Sequence, residues 1–184
     1  ELLQGMGLMK KPDIFKLILL IDSSLFQFLK KPENAGVDKQ REFSLKVAEG
    51  IGFDFEAGRM DTSTHPFCSG AGPNDVRFTT RYDEEFPFGC LYGVMHETGH
   101  GTYEQGLLEE HEGTPMGQAV SLGVHESQSR MWENMVGRSK EFWQFYIEEF
   151  KNCFDHLPSD LDVDTLQRTK SNSFCFTRVC CRCR

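Results

Sequence analysis

A chain of 184 residues with 20 basic against 28 acidic side chains, formal net charge −8, lacks the basic stripe that phosphate binding needs, so neither nucleic acid nor an anionic membrane is an expected partner. The length suits one domain around one sizeable core. Seven cysteines make an odd count, three of them scattered (Cys68, Cys90, Cys153) and four crowded after residue 174, so reduced thiols and a cytoplasmic location are expected.

Residues 1–11 show no strong period, and Pro12-Asp13 is a plausible helix start. Residues 14–29 are apolar but interrupted by Lys16, Asp22, Ser23, Ser24 and Gln27. That falls short of the ~20 uninterrupted residues of a membrane span, and a core helix is expected instead. The chain opens on Glu1 rather than Met, which leaves an upstream targeting segment open. Residues 30–38, with Pro32, Asn34 and Gly36, predict a loop. A helix follows over 39–49, turning Phe43, Val47 and Ala48 inward and stopping at Gly50-Ile51-Gly52.

His65-Pro66-Phe67 is a loop, because a proline pushes the residue before it to extended geometry. Residues 69–74 form a turn-rich connector, and 76–82 alternate like a strand with Phe78 and Thr80 on one face, Arg77 and Thr79 on the other. An open edge on that strand would suit an extended peptide. An internal Asp75–Arg77 ion pair pinning the strand is the alternative.

His96-Glu97-Thr98-Gly99-His100 is an H-E-x-x-H. Residues four apart share one helix face, so both imidazoles can converge on one cation, zinc being the natural occupant. Glu97 points about 100° round the helix, beside the metal, where a base for the bound water belongs. Gly93, Gly99, Gly101 and Gly106 each cost about 1 kcal/mol in a helix interior, which predicts another element packed closely against this one. Glu109 to Glu112 is a solvated helix end, and His111 is a surface residue rather than a ligand.

After a break at Gly113-Thr114-Pro115, residues 117–136 predict a second helix. It carries Glu126, placed 26 positions after His100. Helices joined by a short connection lie antiparallel, so Glu126 can complete a His-His-Glu set. Residues 139–157 predict a further helix whose Phe142, Phe145, Tyr146, Glu149 and Phe150 form a core stripe.

The order His65-Pro66-Phe67, Asp75-Val76-Arg77-Phe78-Thr79, His96-Glu97-Thr98-Gly99-His100 and His125-Glu126-Ser127-Gln128 resembles the thermostable metallocarboxypeptidase family typified by carboxypeptidase Taq, with its H-P-F, D-x-R-x-T, H-E-x-x-H and H-E-S/G-Q motifs. The resemblance implies a mainly α fold, a zincin-like active-site helix pair with a short β strand or hairpin beside it. Because the family's chains are well over twice this length, residues 1–169 would be a partial catalytic domain. Residues 170–184 would be an aberrant, disordered Cys/Arg-rich tail. Thr177-Arg178-Val179-Cys180 stands where I/V-R-x-x-A-D might fall but lacks the Ala and Asp, and the family's G-x-x-Q-D-x-H-W is absent, so Arg178 is given no role.

The activity implied is release of C-terminal amino acids from peptides. His96, His100 and Glu126 would hold zinc, with cobalt or manganese as possible substitutes, and Glu97 would be the base. His65 and Arg77 are candidates for the oxyanion and for the substrate carboxylate. Peptides would be the substrates and a homodimer the assembly. The alternatives are a zinc endopeptidase using the same site, and a catalytically inactive fragment or interaction module.

Overall fold

The computed structural model describes residues 35–84, 87–154, 157–158 and 161–170. The helix expected over 14–29 and the tail after Lys170 lie outside them. Helix α1, Val37–Ile51, buries Gln40, Phe43, Ser44, Val47 and Ala48, a stripe at helical spacing. It ends where expected because Gly52 takes φ 104°, the left-handed conformation that glycine adopts freely, and donates to the Glu49 carbonyl at 2.9 Å.

Three strands follow: β1, Gly58–Thr62; β2, Cys68–Gly72; β3, Asp75–Thr80. Their order is β1-β3-β2, with β3 parallel to β1 and antiparallel to β2. The connector expected over 69–74 is thus mostly strand. Cys-Ser-Gly-Ala-Gly has no branched or aromatic residue to announce one, and β2 exists through its pairing, Cys68 with Phe78 and Ser69 with Arg77. As the central strand, β3 has no open edge for a substrate, contrary to expectation. The edges belong to β1 and β2.

Helix α2, Pro87–Gln105, lies across the sheet and carries the H-E-x-x-H. One side of it meets Phe53, Met60, Val76 and Phe78 through Cys90 and Val94. The other side meets α1 and a later helix through Phe88, Leu91, Tyr92 and Met95. Burial on two sides explains why its first half, Pro87 to Met95, is almost wholly apolar. It ends at Gln105, so Glu109–His111 is a separate 3-10 turn rather than the end of α2.

A second 3-10 turn, Pro115–Gly117, precedes helix α3, Leu122–Arg130, which starts five residues later than the sequence predicts. Its start is set by Ser121, whose Oγ accepts from Val124 N–H. The helix continues with π geometry over Met131–Val136. Helix α4, Lys140–Cys153, is capped by Ser139 and buries Phe142, Trp143, Tyr146 and Phe150. Phe145, expected in the core, is 75% exposed on the opposite side. Helix α5, Val163–Lys170, adds Leu166 to the core that α1, α2 and α4 share. Among the described residues no helix is long and apolar enough to cross a membrane.

Candidate metal centre

Helices α2 and α3 run antiparallel, as their contacts show in sequence: residue 125 meets 100 and 104, residue 126 meets 96 and 100, residue 133 meets 96. Gly99 permits this approach. A methyl group there would lie 2.7 Å from Ser129 Cα and 2.8 Å from the Gln128 carbonyl oxygen. Gly101 is needed against Phe53, whose ring would be 2.7 Å from a side chain. Gly93 is different: among the described residues nothing lies within 4 Å of its would-be side chain, and Gly106 sits just past the end of α2.

The close approach brings one ligand atom from each of His96, His100 and Glu126 within 4.8 Å of the others. Glu126 Oε2 lies 3.6 Å from His96 Nε2 and 3.4 Å from His100 Nε2, while Glu126 Oε1 accepts from Arg130 Nε at 2.7 Å. Two imidazole nitrogens and a carboxylate oxygen, all facing one point, suit a divalent ion such as zinc. The far side of each ring is also held, an arrangement that fixes ligand orientation. His96 Nδ1 lies 2.9 Å from Glu133 Oε2, and Glu133 also accepts from Arg138, whose guanidinium sits 4.2 Å over the Tyr92 ring. His100 Nδ1 meets His125 Nδ1, and His125 Nε2 meets Glu104 Oε1.

The sequence alone assigns no role to Glu104, His125, Glu133 or Arg138. The signal for Glu133 was present, since it follows Glu126 by two helical turns and so shares its face. His125 stood within a quoted motif, and only the fold shows what it faces.

Burial dominates the electrostatics. It pushes the Glu97 carboxyl up to about 7, helped by Glu126 and Glu133 and opposed by His96 and His65. Burial, with the neighbouring His96 and His125, holds His100 down at about 4, so its ring is neutral and has a lone pair for a cation. For His96 burial works downward, but the Glu133 hydrogen bond and the charges of Glu97, Glu126 and Glu133 outweigh it and leave the pKa raised. Burial likewise opposes the charge on Glu126, yet Arg130, His96 and Ser129 keep it below its ordinary value.

His65 is exposed, with Nδ1 on the Pro66 carbonyl oxygen at 2.8 Å, and is close enough to Glu97 for its charge to be felt there. Arg77 is not brought to the group. Val76, Phe78 and Thr80 are buried on the α2 side of the sheet, and Arg77 projects from the other face, gripped by Asp75 through Nε and Nη2 at 2.7 and 3.0 Å. The ion pair is what the D-x-R spacing makes here. Cys68, at the start of β2, does border the group. Burial and the charges of Glu97 and Glu104 push its thiol up to about 12.

A helix pair presenting H-E-x-x-H and a glutamate converging on its two histidines, beside a small sheet, is the architecture of a zincin-like metallopeptidase. The chain belongs to the carboxypeptidase Taq (M32) metallopeptidase family, whose model matches residues 12–179. It is 54% identical over 121 residues to thermostable carboxypeptidase 1 of Thermus thermophilus, covering 66% of this chain and 24% of that protein. It is 39% identical over 136 residues to carboxypeptidase 1 of Bacillus subtilis, covering 74% and 27%. Among solved structures, the M32 carboxypeptidase from Deinococcus radiodurans superposes with a TM-score of 0.72 at 36% identity, covering 87% of this chain and 35% of that one. The Trypanosoma cruzi metallocarboxypeptidase 1 gives 0.65 at 33%. The chain therefore spans about a quarter of the length of the curated relatives it matches.

Proposed function

We propose that this chain is the metal-binding and proton-transfer region of a zinc-dependent carboxypeptidase that releases C-terminal amino acids from peptides. One observation carries the proposal: the two Nε2 atoms and Glu126 Oε2 converge within a few ångströms while Glu97, one residue along, is 8% exposed and tuned to about 7. A divalent ion held there would supply Lewis acidity towards water and the scissile carbonyl. Glu97, poised near neutrality, takes a proton from the attacking water and passes it to the departing amine. His65 donates to the developing oxyanion from its loop.

Peptides are the substrates in this proposal. An extended substrate pairs at the β2 edge, where Cys68 lies near enough to feel the charge of Glu97, rather than at β3. The substrate carboxylate is recognised by groups other than Arg77, which is turned away and held by Asp75. The family resemblance extends the proposal to a homodimer, and the unpaired Cys68, Cys90 and Cys153 support a cytoplasmic site of action.

The test is hydrolysis of a blocked peptide as free acid and as C-terminal amide, by this chain and by a chimera carrying it in place of its counterpart in the Thermus thermophilus relative. The chimera should cut the free acid and spare the amide, and Glu97→Gln should slow it by about 10²–10⁴-fold. Equal cleavage of acid and amide would mark an endopeptidase. An unchanged rate in Glu97→Gln would remove the proposed base.

A further inference from the structure

The two histidines of the centre are backed differently. His96 Nδ1 is held directly by the buried carboxylate of Glu133, whereas His100 Nδ1 reaches the carboxylate of Glu104 through a second imidazole. We propose that His125 and Glu104 are positioning residues for His100, selecting the tautomer that keeps its Nε2 lone pair available to the cation. This rests on the metal-site assignment above and extends it to residues outside the ligand set.

His100 Nδ1 and His125 Nδ1 are 2.5 Å apart, so the two nitrogens share a single proton. A carboxylate only accepts. With Glu104 Oε1 at 2.5 Å, His125 Nε2 must carry a hydrogen, and in a neutral ring its Nδ1 is then an acceptor. With both rings neutral, the proton between them belongs to His100 Nδ1. His100 Nε2, facing Glu126 Oε2 at 3.4 Å, is left without a hydrogen. The negative charge of Glu104 is thus relayed through one imidazole to fix the state of the next.

The grip on residue 125 is built from one face of α2. His100, Tyr103 and Glu104 stand at i, i+3 and i+4, neighbours on a helix surface. Tyr103 and His125 pack with their rings nearly perpendicular, centroids 5.1 Å apart and planes at 87°, and the Tyr103 hydroxyl accepts from Val120 N–H at 3.3 Å, just before the Ser121 cap. Both nitrogens of His125 are engaged and its side chain is 17% exposed, so the ring cannot turn without losing both bonds. Glu126, the next residue, points about 100° away round α3 and meets the other side of His100. One dipeptide therefore contacts both ends of the same imidazole.

Two measurements test this. Long-range proton–nitrogen correlation spectra of the chelator-treated chain near pH ~8 read the histidine tautomers without any metal. His100 should carry its proton on Nδ1, and Glu104→Leu should leave it a mixture of tautomers. Zinc affinity, by competition with a chromogenic chelator, should fall about 10–100-fold in His125→Phe, which keeps a ring against Tyr103 but no hydrogen bond. His125→Gln should restore most of it, since its amide oxygen accepts from His100 and its nitrogen donates to Glu104. A merely structural role would make Phe at least as good as Gln. The proposal is overturned if His100 carries its proton on Nε2 in the unaltered chain, or if His125→Phe binds zinc as tightly as His125→Gln. No zinc binding by the unaltered chain would sink the metal-site assignment instead, and the tautomer spectra would still decide the role of His125.

Discussion

His96 Nδ1 and Glu133 Oε2 are 2.9 Å apart, and Glu133 is 2% exposed. A carboxylate so buried is kept charged by the His96 hydrogen bond and by the charges of His96, Arg138 and Arg130, which outweigh the opposing effect of burial. Glu133 in turn fixes which nitrogen of His96 faces Glu126. Replacing Glu133 by Ala frees the ring and should weaken zinc binding about 10–100-fold, measured by chelator competition. Glu133→Gln, which can still accept a hydrogen bond, should lose less. Equal affinity in the Ala variant would show that the pair has no part in the site.

The approach of α3 to α2 depends on residue 99. Gly99→Ala should push Ser129 and Gln128 away and carry Glu126 with them. Overpacking of this kind costs about 1–3 kcal/mol, so the variant should melt at lower temperature and lose zinc affinity together. A stable Gly99→Ala variant that binds zinc normally would mean that the helices can part without disturbing the ligands.

Glu97 is destabilising at the position the proposed mechanism uses. Its folded-state pKa of about 7 stands above the ordinary 4.5, so between these values the folded chain binds more protons than the unfolded one and stability falls as pH rises. Above the upper value the full cost applies, on the order of 3 kcal/mol at 1.36 kcal/mol per pKa unit. Metal-free Glu97→Gln should therefore melt above the unaltered chain near pH ~8, with the gap closing towards pH ~4.5. A gap that does not change with pH would contradict a strained carboxylate at this position.

Much of the site was legible because its signals are local. The four-residue spacing of His96 and His100 is itself a statement about one helix face, and Glu126 follows at a distance that a short connection can fold back. The inward residues of α1 and its stop at Gly52 also follow from spacing and glycine. What stayed hidden depends on pairing between distant segments. β2 has no strand-like composition and is created by its partner β3. Arg77 had two chemically sensible uses, and only the face it projects from decides between them. Phe145 fits the helical stripe of α4 by spacing yet lies outside it, because the buried face is defined by where α1 and α2 sit. The relay through His125 needed two helices in register, which no single segment encodes.

The central claim is that His96, His100 and Glu126 converge on one cation, and zinc stoichiometry tests it most directly. After chelator treatment and titration, the 184-residue chain should take up one zinc ion per molecule, and His96→Ala, His100→Ala and Glu126→Ala should each lose nearly all of that uptake. Uptake in Glu126→Ala equal to that of the unaltered chain, or none in the unaltered chain, would contradict it.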